Sequence, residues 1–430
     1  MLLLGNLVNF YDRAVPAILL EPIRKEWNLS DLELGLIPAT FTIVFAIACI
    51  PLGRLADRTS RKAIMGFGLI AWSAFTALGA ASWSFGSFLA TRVAVGIAEA
   101  SYQPSAIPMI ADLFPSNKRS RAMGVFALGL PLGLTLAFFT VGALAQFFGS
   151  WRAPFVIAMV PGLLIVVLVF MIREPARGSA EAVHVTQEEI AHPMRKVLSV
   201  RTMLWLFVAG AASNFAAYAT YSFMVPLIQR YFGWDLHQAS ASTGIIVGLT
   251  GLVGLTLGGW IADRLHGGER ANRLVFGGVS LALASVGAWY ALSLGPEQAT
   301  LFLMAFSGAW LLQHAFYVSV LPAIQDVVDP RLRGTAMAVY LAAINIMGGA
   351  FGPVLVGRLS DYYAEAAAAA AGTPGLTEPF KAAGLHDAMM MAVPAALFIS
   401  ALSVLLAARH FQSDARSMVR NMSAKLALPG

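Results

Sequence analysis

GRLADR, Gly53 to Arg58, and GWIADR, Gly259 to Arg264, share four of their six residues and lie 206 positions apart. A longer pair keeps nearly the same register: IPMIADLFPSNKRSRAMGVF, Ile107 to Phe126, and LPAIQDVVDPRLRGTAMAVY, Leu321 to Tyr340, align without a gap at a shift of 214. There Pro108 meets Pro322, Asp112 meets Asp326, Arg119 meets Arg333, Met123 meets Met337 and Val125 meets Val339. So small a change in shift means that one structural plan is written twice. A third, weaker match sets Asn9-Phe10 on Asn214-Phe215 and Trp27-Asn28-Leu29 on Trp234-Asp235-Leu236.

The plan is a membrane one. Of 430 residues, 58% are hydrophobic and 12% charged, and the mean hydropathy is +0.71; a water-soluble fold cannot hide that much apolar surface. A window of about 20 residues, the helical length that crosses bilayer hydrocarbon, finds apolar segments near 1–20, 35–55, 62–81, 86–112, 120–147, 153–172, 202–230, 240–262, 273–294, 299–325, 334–360 and 386–409. The expected fold is an all-α polytopic membrane protein with twelve transmembrane helices in two six-helix repeats. Residues 1–173 form the first bundle, 174–201 a cytoplasmic linker, and 202–430 the second bundle with a cytoplasmic tail. Within the linker, Glu188 to Ile190 and Met194 to Leu198 suit either a short amphipathic helix on the membrane surface or a plain solvated connection.

The net charge of +6 reports topology. With both termini cytoplasmic, 21 of the 29 Lys and Arg fall on the inner side, 6 on the outer side and 2 inside helices, which is the positive-inside asymmetry. No nucleic-acid face is expected. The lone Cys49 excludes disulfides and thiolate metal sites. The first segment lacks a small-residue cleavage site and is read as a retained helix. No HExxH, paired cysteines, G-x-S-x-G turn or Walker loop is present, so neither an enzyme nor a nucleotide-driven pump is expected, and no cofactor or metal.

GRLADRTSRK, Gly53 to Lys62, between segments two and three, resembles the loop signature of the major facilitator superfamily. RVAVGIAEASYQPSAIPMIADLF, Arg92 to Phe114, followed by KRSRAMGVF and by REPARG, Arg173 to Gly178, resembles the spinster branch of that superfamily. The resemblance implies transport of an amphipathic anion such as a lysolipid or sphingoid phosphate. It also implies that helices one and four line a central cavity. Short loops fit a bacterial inner (plasma) membrane. In the signature, Gly53 lets helices approach closely, and Asp57 and Arg58, with Asp263 and Arg264 as counterparts, are expected to gate the cytoplasmic side. Asp112, Arg119, Asp326 and Arg333 join them as the matched hairpin charges. The alternative is that these groups only fix topology and solubilise the loops.

Four ionisable groups lie deep, all in the first half: Asp12, Arg13, Arg92 and Glu99. Charge at bilayer depth costs about 2.5–3.5 kcal/mol on insertion scales and marks a transport pathway by default. Asp12 and Arg13 point about 100° apart on a helix and cannot cancel each other. Arg92 and Glu99, seven residues apart, share a face, so a network across helices one and four is feasible, with Arg13 and Glu99 one pairing among several. Asp12 and Glu99 are the expected proton-coupling carboxylates, and Arg13 and Arg92 the expected partners of an anionic headgroup. A static network that specifies packing is the competing reading.

The second half has no such charges. On the weak match, Asp12 and Arg13 meet Ala217 and Tyr218, and the 214 shift sets Gln313 opposite Glu99. Asn214, Tyr218, Gln313 and His314 are its candidate substrate contacts, His314 being equally suited to packing. The asymmetry suits a headgroup on the charged side and an apolar tail on the other. The expected partners are thus an amphipathic or lipid substrate, protons and membrane lipids. A multidrug or small organic-anion exporter is the alternative transporter, and a non-transporting receptor the alternative class. Glycine and proline clusters at Gly129 to Gly133 and Gly348 to Pro353 permit bending and close packing.

Overall fold

Short polar side chains mark the helix starts. The computed structural model describes residues 1–176, 193–266, 271–329, 332–373 and 375–426, and these are almost wholly helical. Twelve long helices or helix runs follow in order: α1 Leu2–Ile18, α2 Asp31–Arg58, α3 Arg61–Gly79, α4 in two pieces, Phe85–Glu99 and Tyr102–Leu113, α5 Arg121–Phe147, α6 Ala153–Met171, α7 Arg201–Tyr231, α8 Leu236–Ala262, α9 Asn272–Leu292, α10 Pro296–Val327, α11 Arg333–Ala370 and α12 Glu378–Met418. Ten are long and apolar enough to cross a membrane by themselves. The other two are α1, with 17 residues, and α4, which carries Arg92 and Glu99 and breaks in two. The set is consistent with twelve spans in two sixes. Ser30 opens α2 with a reciprocal capping box to Glu33, Ser60 caps α3 and Asp235 caps α8, each satisfying N–H groups that the first turn leaves free. Pro193–Leu198 forms a short helix before α7; Glu188 to Ile190, like the rest of 177–192, lies outside the described residues.

The break in α4 has a local cause. Pro104 has no N–H to give the Ala100 carbonyl, so the helix loses a bond there, and the Cys49 thiol approaches that oxygen at 3.8 Å. In the second half α10 breaks at His314, 214 residues later, without a matching proline. The repeat therefore extends to an irregularity.

Two π-helical turns have no first-half counterpart among the described residues: Gly244–Leu249 in α8 and Asn345–Ala350 in α11. These helices also carry close packing of the second half on the first. Gly35 of α2 lies against the Pro353 carbonyl of α11, and Gly357 of α11 against the Asp31 carbonyl of α2. Gly142 of α5 meets Leu236 and Ser240 of α8, and Ser240 Oγ donates to the Phe138 carbonyl. A side chain at Gly35 or Gly357 would strike backbone, so only glycine allows these helices so close. A π turn inserts one residue and weakens the ladder around it, which places deformable points on α8 and α11.

Candidate functional site

Asp12 and Arg13 leave α1 in different directions. Arg13 turns toward α2 and α4, where its Nε donates to Glu99 Oε2 at 2.7 Å. Its guanidinium carbon sits 4.3, 5.0 and 5.1 Å from the ring centres of Phe45, Phe41 and Phe10, a cage that attracts the cation to aromatic faces. Asn9, one turn earlier, donates to the same Glu99 oxygen at 2.9 Å. Glu99 is fully buried while the Arg13 side chain keeps 15% exposure, so Arg13 forms the accessible edge of the pair. Tyr218 and Tyr221 of α7 face Arg13 across the interface between the halves. Tyr317 of α10 lies beside Tyr218.

Asp12 turns inward and is buried with Glu99 and Arg92 of α4 and Trp72 of α3 around it. Neither of its oxygens has a hydrogen-bond partner among the described residues; Trp72 Nε1 approaches without reaching hydrogen-bonding geometry. Arg92 is also buried, its guanidinium 5.1 and 5.3 Å from the Phe88 and Phe155 rings, and its hydrogen bonds go to Thr91 Oγ1 at 3.4 Å. The four charges thus form two unlike compartments: a bonded pair at the interface and a separated pair sealed inside the first half. In this conformation Arg92 is not brought to the interface with Arg13.

The second-half candidates are mostly engaged in packing. Asn214 donates to the Ile344 carbonyl at 2.9 Å, as Asn6 of α1 does to the Phe126 carbonyl at 2.9 Å. Asn6 is therefore the working counterpart of Asn214, and the sequence match of Asn9 with Asn214 is corrected: short asparagine-phenylalanine pairs fix helix register poorly. Gln313 does lie opposite Glu99 in the repeat, but it donates to Ser213 Oγ at 3.1 Å. The His314 Nδ1 lies 2.8 Å from the Trp310 carbonyl and the ring packs on Gly251 and Gly254 of α8. Tyr218 reaches Asn345 Oδ1, in the π turn of α11, at 3.4 Å.

Among the hairpin charges, Arg61 pairs with Asp112 at 2.5 Å and Arg273 with Asp326 at 2.9 Å. Arg119 donates to the Ala111 carbonyl, and Arg333 to the Gln325 carbonyl. The two hairpins thus repeat their bonding as well as their letters, and these ties stay within one half. Asp57 and Arg58 end α2 exposed, Gly53 lies against Pro104 of α4, and Arg264 stacks on Trp260 with its guanidinium carbon 3.5 Å from the ring centre. The side chain of Asp263 lies outside the described residues. Glu174 caps the start of α3 through Ser60 Oγ and the Arg61 N–H.

The ties between halves gather at the opposite face, away from both chain termini. Arg230 at the end of α7 donates to Glu21 at 2.7 Å and to both oxygens of Asp31 at 2.8 Å. Arg24 bonds Glu21 at 2.7 Å and Glu378 of α12 at 2.6 Å. Asp361 of α11 accepts from the Asp31 and Leu32 N–H groups at 2.9 Å, and Ser360 donates to Asp31. Burial pushes the Glu21 carboxyl up, but Arg230 and Arg24 outweigh it and hold Glu21 below the usual carboxylate range. Sequence reasoning missed this lock because it set helix ends aside. The available signal was acids at the start of α2 and an arginine at the end of α7.

A model of the major facilitator superfamily matches residues 2–353. The chain belongs to this superfamily of membrane transporters. It is 30% identical over 416 residues to an MFS-type efflux pump of Mycolicibacterium smegmatis, covering 96% of this chain and 92% of that protein. It is 29% identical over 379 residues to a sphingosine-1-phosphate transporter of Danio rerio, covering 83% and 74%. Among solved structures, it resembles a bacterial homolog of the human lysosomal transporter Spinster in an inward-facing, unoccupied conformation. That likeness has a TM-score of 0.87 and 26% identity over 96% of both chains.

Proposed function

We propose that this transporter moves an amphipathic anion, such as a lysolipid or sphingoid phosphate, by proton-coupled alternating access. The Arg13–Glu99 pair carries the reading. While Glu99 is ionised it occupies Arg13; when Glu99 takes a proton, the pair loses its charge attraction and Arg13 becomes available to an anionic headgroup. Protonation and anion binding are thereby coupled at one residue. The aromatic cage around Arg13 compensates its cation in the interval and offers apolar surface to the chain of an amphiphile. Asp12, close to Glu99, is the second proton-binding carboxylate. Tyr218, Asn214, Gln313 and His314 belong to the wall across from Arg13, with Tyr221 and Tyr317.

The terminal face is cytoplasmic in this reading, supported by the basic residues concentrated there, and the membrane is a bacterial inner membrane. The lock around Arg230 then closes the outer side, as suits an inward-facing state, and Asp57, Arg58, Asp112, Arg119, Asp263, Arg264, Asp326 and Arg333 gate the inner side when the halves rock. Flexing at the π turns of α8 and α11 accommodates that rocking. The linker 174–201 joins the two bundles. The efflux-pump relative supports a second reading, a multidrug or small organic-anion exporter. Proteoliposome uptake, with and without a pH gradient, of lysolipids, sphingoid phosphates and cationic drugs tests both. Saturable, gradient-dependent flux of the anionic amphiphiles is expected. Flux confined to cationic drugs sinks the lipid reading, and non-saturating flux at channel-like rates sinks alternating access.

A further inference from the structure

The sealed compartment around Asp12 holds more polar atoms than it can satisfy internally. Asp12 presents two bare carboxylate oxygens, and Asn9 Oδ1 and Glu99 Oε1 are also buried without partners. On α3, Trp72 Nε1 and Thr76 Oγ1 are buried and unpaired too, both residues being 0% exposed. Trp72 faces Asp12, while Arg92 extends its Nη2 to the α3 backbone at Gly79. Positions 72, 76 and 79 fall on one face of a helix, so Thr76 stands about 6 Å along the axis from Trp72 and about 4.5 Å from Gly79. Asp12 and Arg92 thus flank a strip of α3 with an indole N–H and a hydroxyl between them, yet make no ion pair within contact distance. Arg13 Nη2, also unpaired, stands on the Glu99 side, which leaves the two Asp12 oxygens with one indole N–H and one hydroxyl as their neutral donors; a carboxylate accepts more bonds than that, and groups buried this deeply are ordinarily satisfied.

We propose that Asp12, Trp72, Thr76 and Arg92 enclose bound water inside the first half, distinct from the central cavity, and that this water positions the Asp12 carboxyl for proton exchange with Glu99. The proton leaves an Asp12 oxygen for a water oxygen, and that water passes one of its own protons to Glu99 Oε1, leaving the water neutral and Asp12 ionised. The charged groups that face Asp12 are Glu99 and Arg92 of α4, with Arg13 on its own helix. Thr76 acts through the water and is a positioning residue. The role in proton transfer rests on the coupling reading above; the occupancy by water does not.

X-ray hydroxyl-radical footprinting of the purified protein tests the occupancy, because radicals made from bound water mark buried neighbours. Trp72 is expected to be modified in the wild type although it is 0% exposed, and Thr76→Val should lower that modification. An unmodified Trp72 alongside a modified Trp83, which is 81% exposed, overturns the site. For the relay, Thr76→Val is expected to slow pH-driven uptake about tenfold, the loss of roughly one buried hydrogen bond, with Thr76→Ser restoring it. If Asp12→Asn abolishes coupling while Thr76→Val leaves the rate and its pH profile unchanged, the relay is wrong. If Asp12→Asn leaves coupling intact, the coupling reading falls, and Trp72 labelling alone decides the water site.

Discussion

Replacing Arg230 by glutamine should open the face that it closes. Arg230 is 3% exposed and bonds two carboxylates of the other half that are themselves 2% and 4% exposed. Removing one partner of a buried ion pair costs about 3–5 kcal/mol, chiefly because the remaining charge stays buried and unpaired. Here the protein has an escape, since separating the halves returns Glu21 and Asp31 to water. The penalty therefore falls on the closed state, and at 1.4 kcal/mol per tenfold it lowers the closed-to-open ratio by about a hundredfold to a few thousandfold. Spin labels at Trp83 in the first half and Glu297 in the second, in a Cys49→Ser background, report the change as a longer distance in double electron-electron resonance. Neutralising the acids as well, as Arg230→Gln with Glu21→Gln and Asp31→Asn, removes the buried carboxylates, leaves Arg24 its bond to Glu378, and should restore part of the closed population. A distance distribution in Arg230→Gln identical to that of the parent refutes the lock. Opening that persists undiminished in the triple variant refutes the electrostatic account of it.

Glu99→Gln keeps the shape of the site but releases Arg13 from its charge partner; downhill anion flux should continue while uptake driven by a pH gradient falls to background, measured in proteoliposomes. Gly357→Leu drives a side chain into the Asp31 backbone and should weaken the closed face by about 1–3 kcal/mol, the usual cost of overpacking, read by the same spin-label pair. Acid should open the lock as well. The Glu21 and Glu378 carboxyls are held below their ordinary value, burial being outweighed by Arg230 and Arg24 for Glu21 and by Arg24 and Lys381 for Glu378. Their stabilisation is thus fully present above the ordinary carboxylate pKa and is lost as pH falls through the lowered one. Labels should separate progressively as pH falls below about 4.5, and a label distance that acid leaves unchanged counts against the assignment.

How far the sequence could be read depended on whether the signal was periodic, repeated or lateral. The helices were legible because apolar length reports the bilayer, and the hairpin charges because their letters recur 214 residues apart. The deep charges were legible as a set, since any ion at that depth stands out against 58% hydrophobic composition. Their division into two compartments was not. Rise along a helix follows from residue number, but which neighbour a side chain meets depends on rotation and on the packing of three other helices. Arg92 shows the difference: seven residues from Glu99 it shares a helical face, yet its guanidinium runs the other way, onto Phe88, Phe155 and Gly79. The lock failed to show for another reason. Glu21, Asp31 and Arg230 sit at helix ends, where sequence alone reads charge as solubility, and the meeting of the two halves, close at Gly35 and Gly357, buries them. Close packing between the halves thus turns ordinary terminal charges into a buried cluster. The halves differ in the same lateral way: the deep charges sit on the first half and, among the described residues, the π turns on the second, a division that neither repeated letters nor apolar length reports.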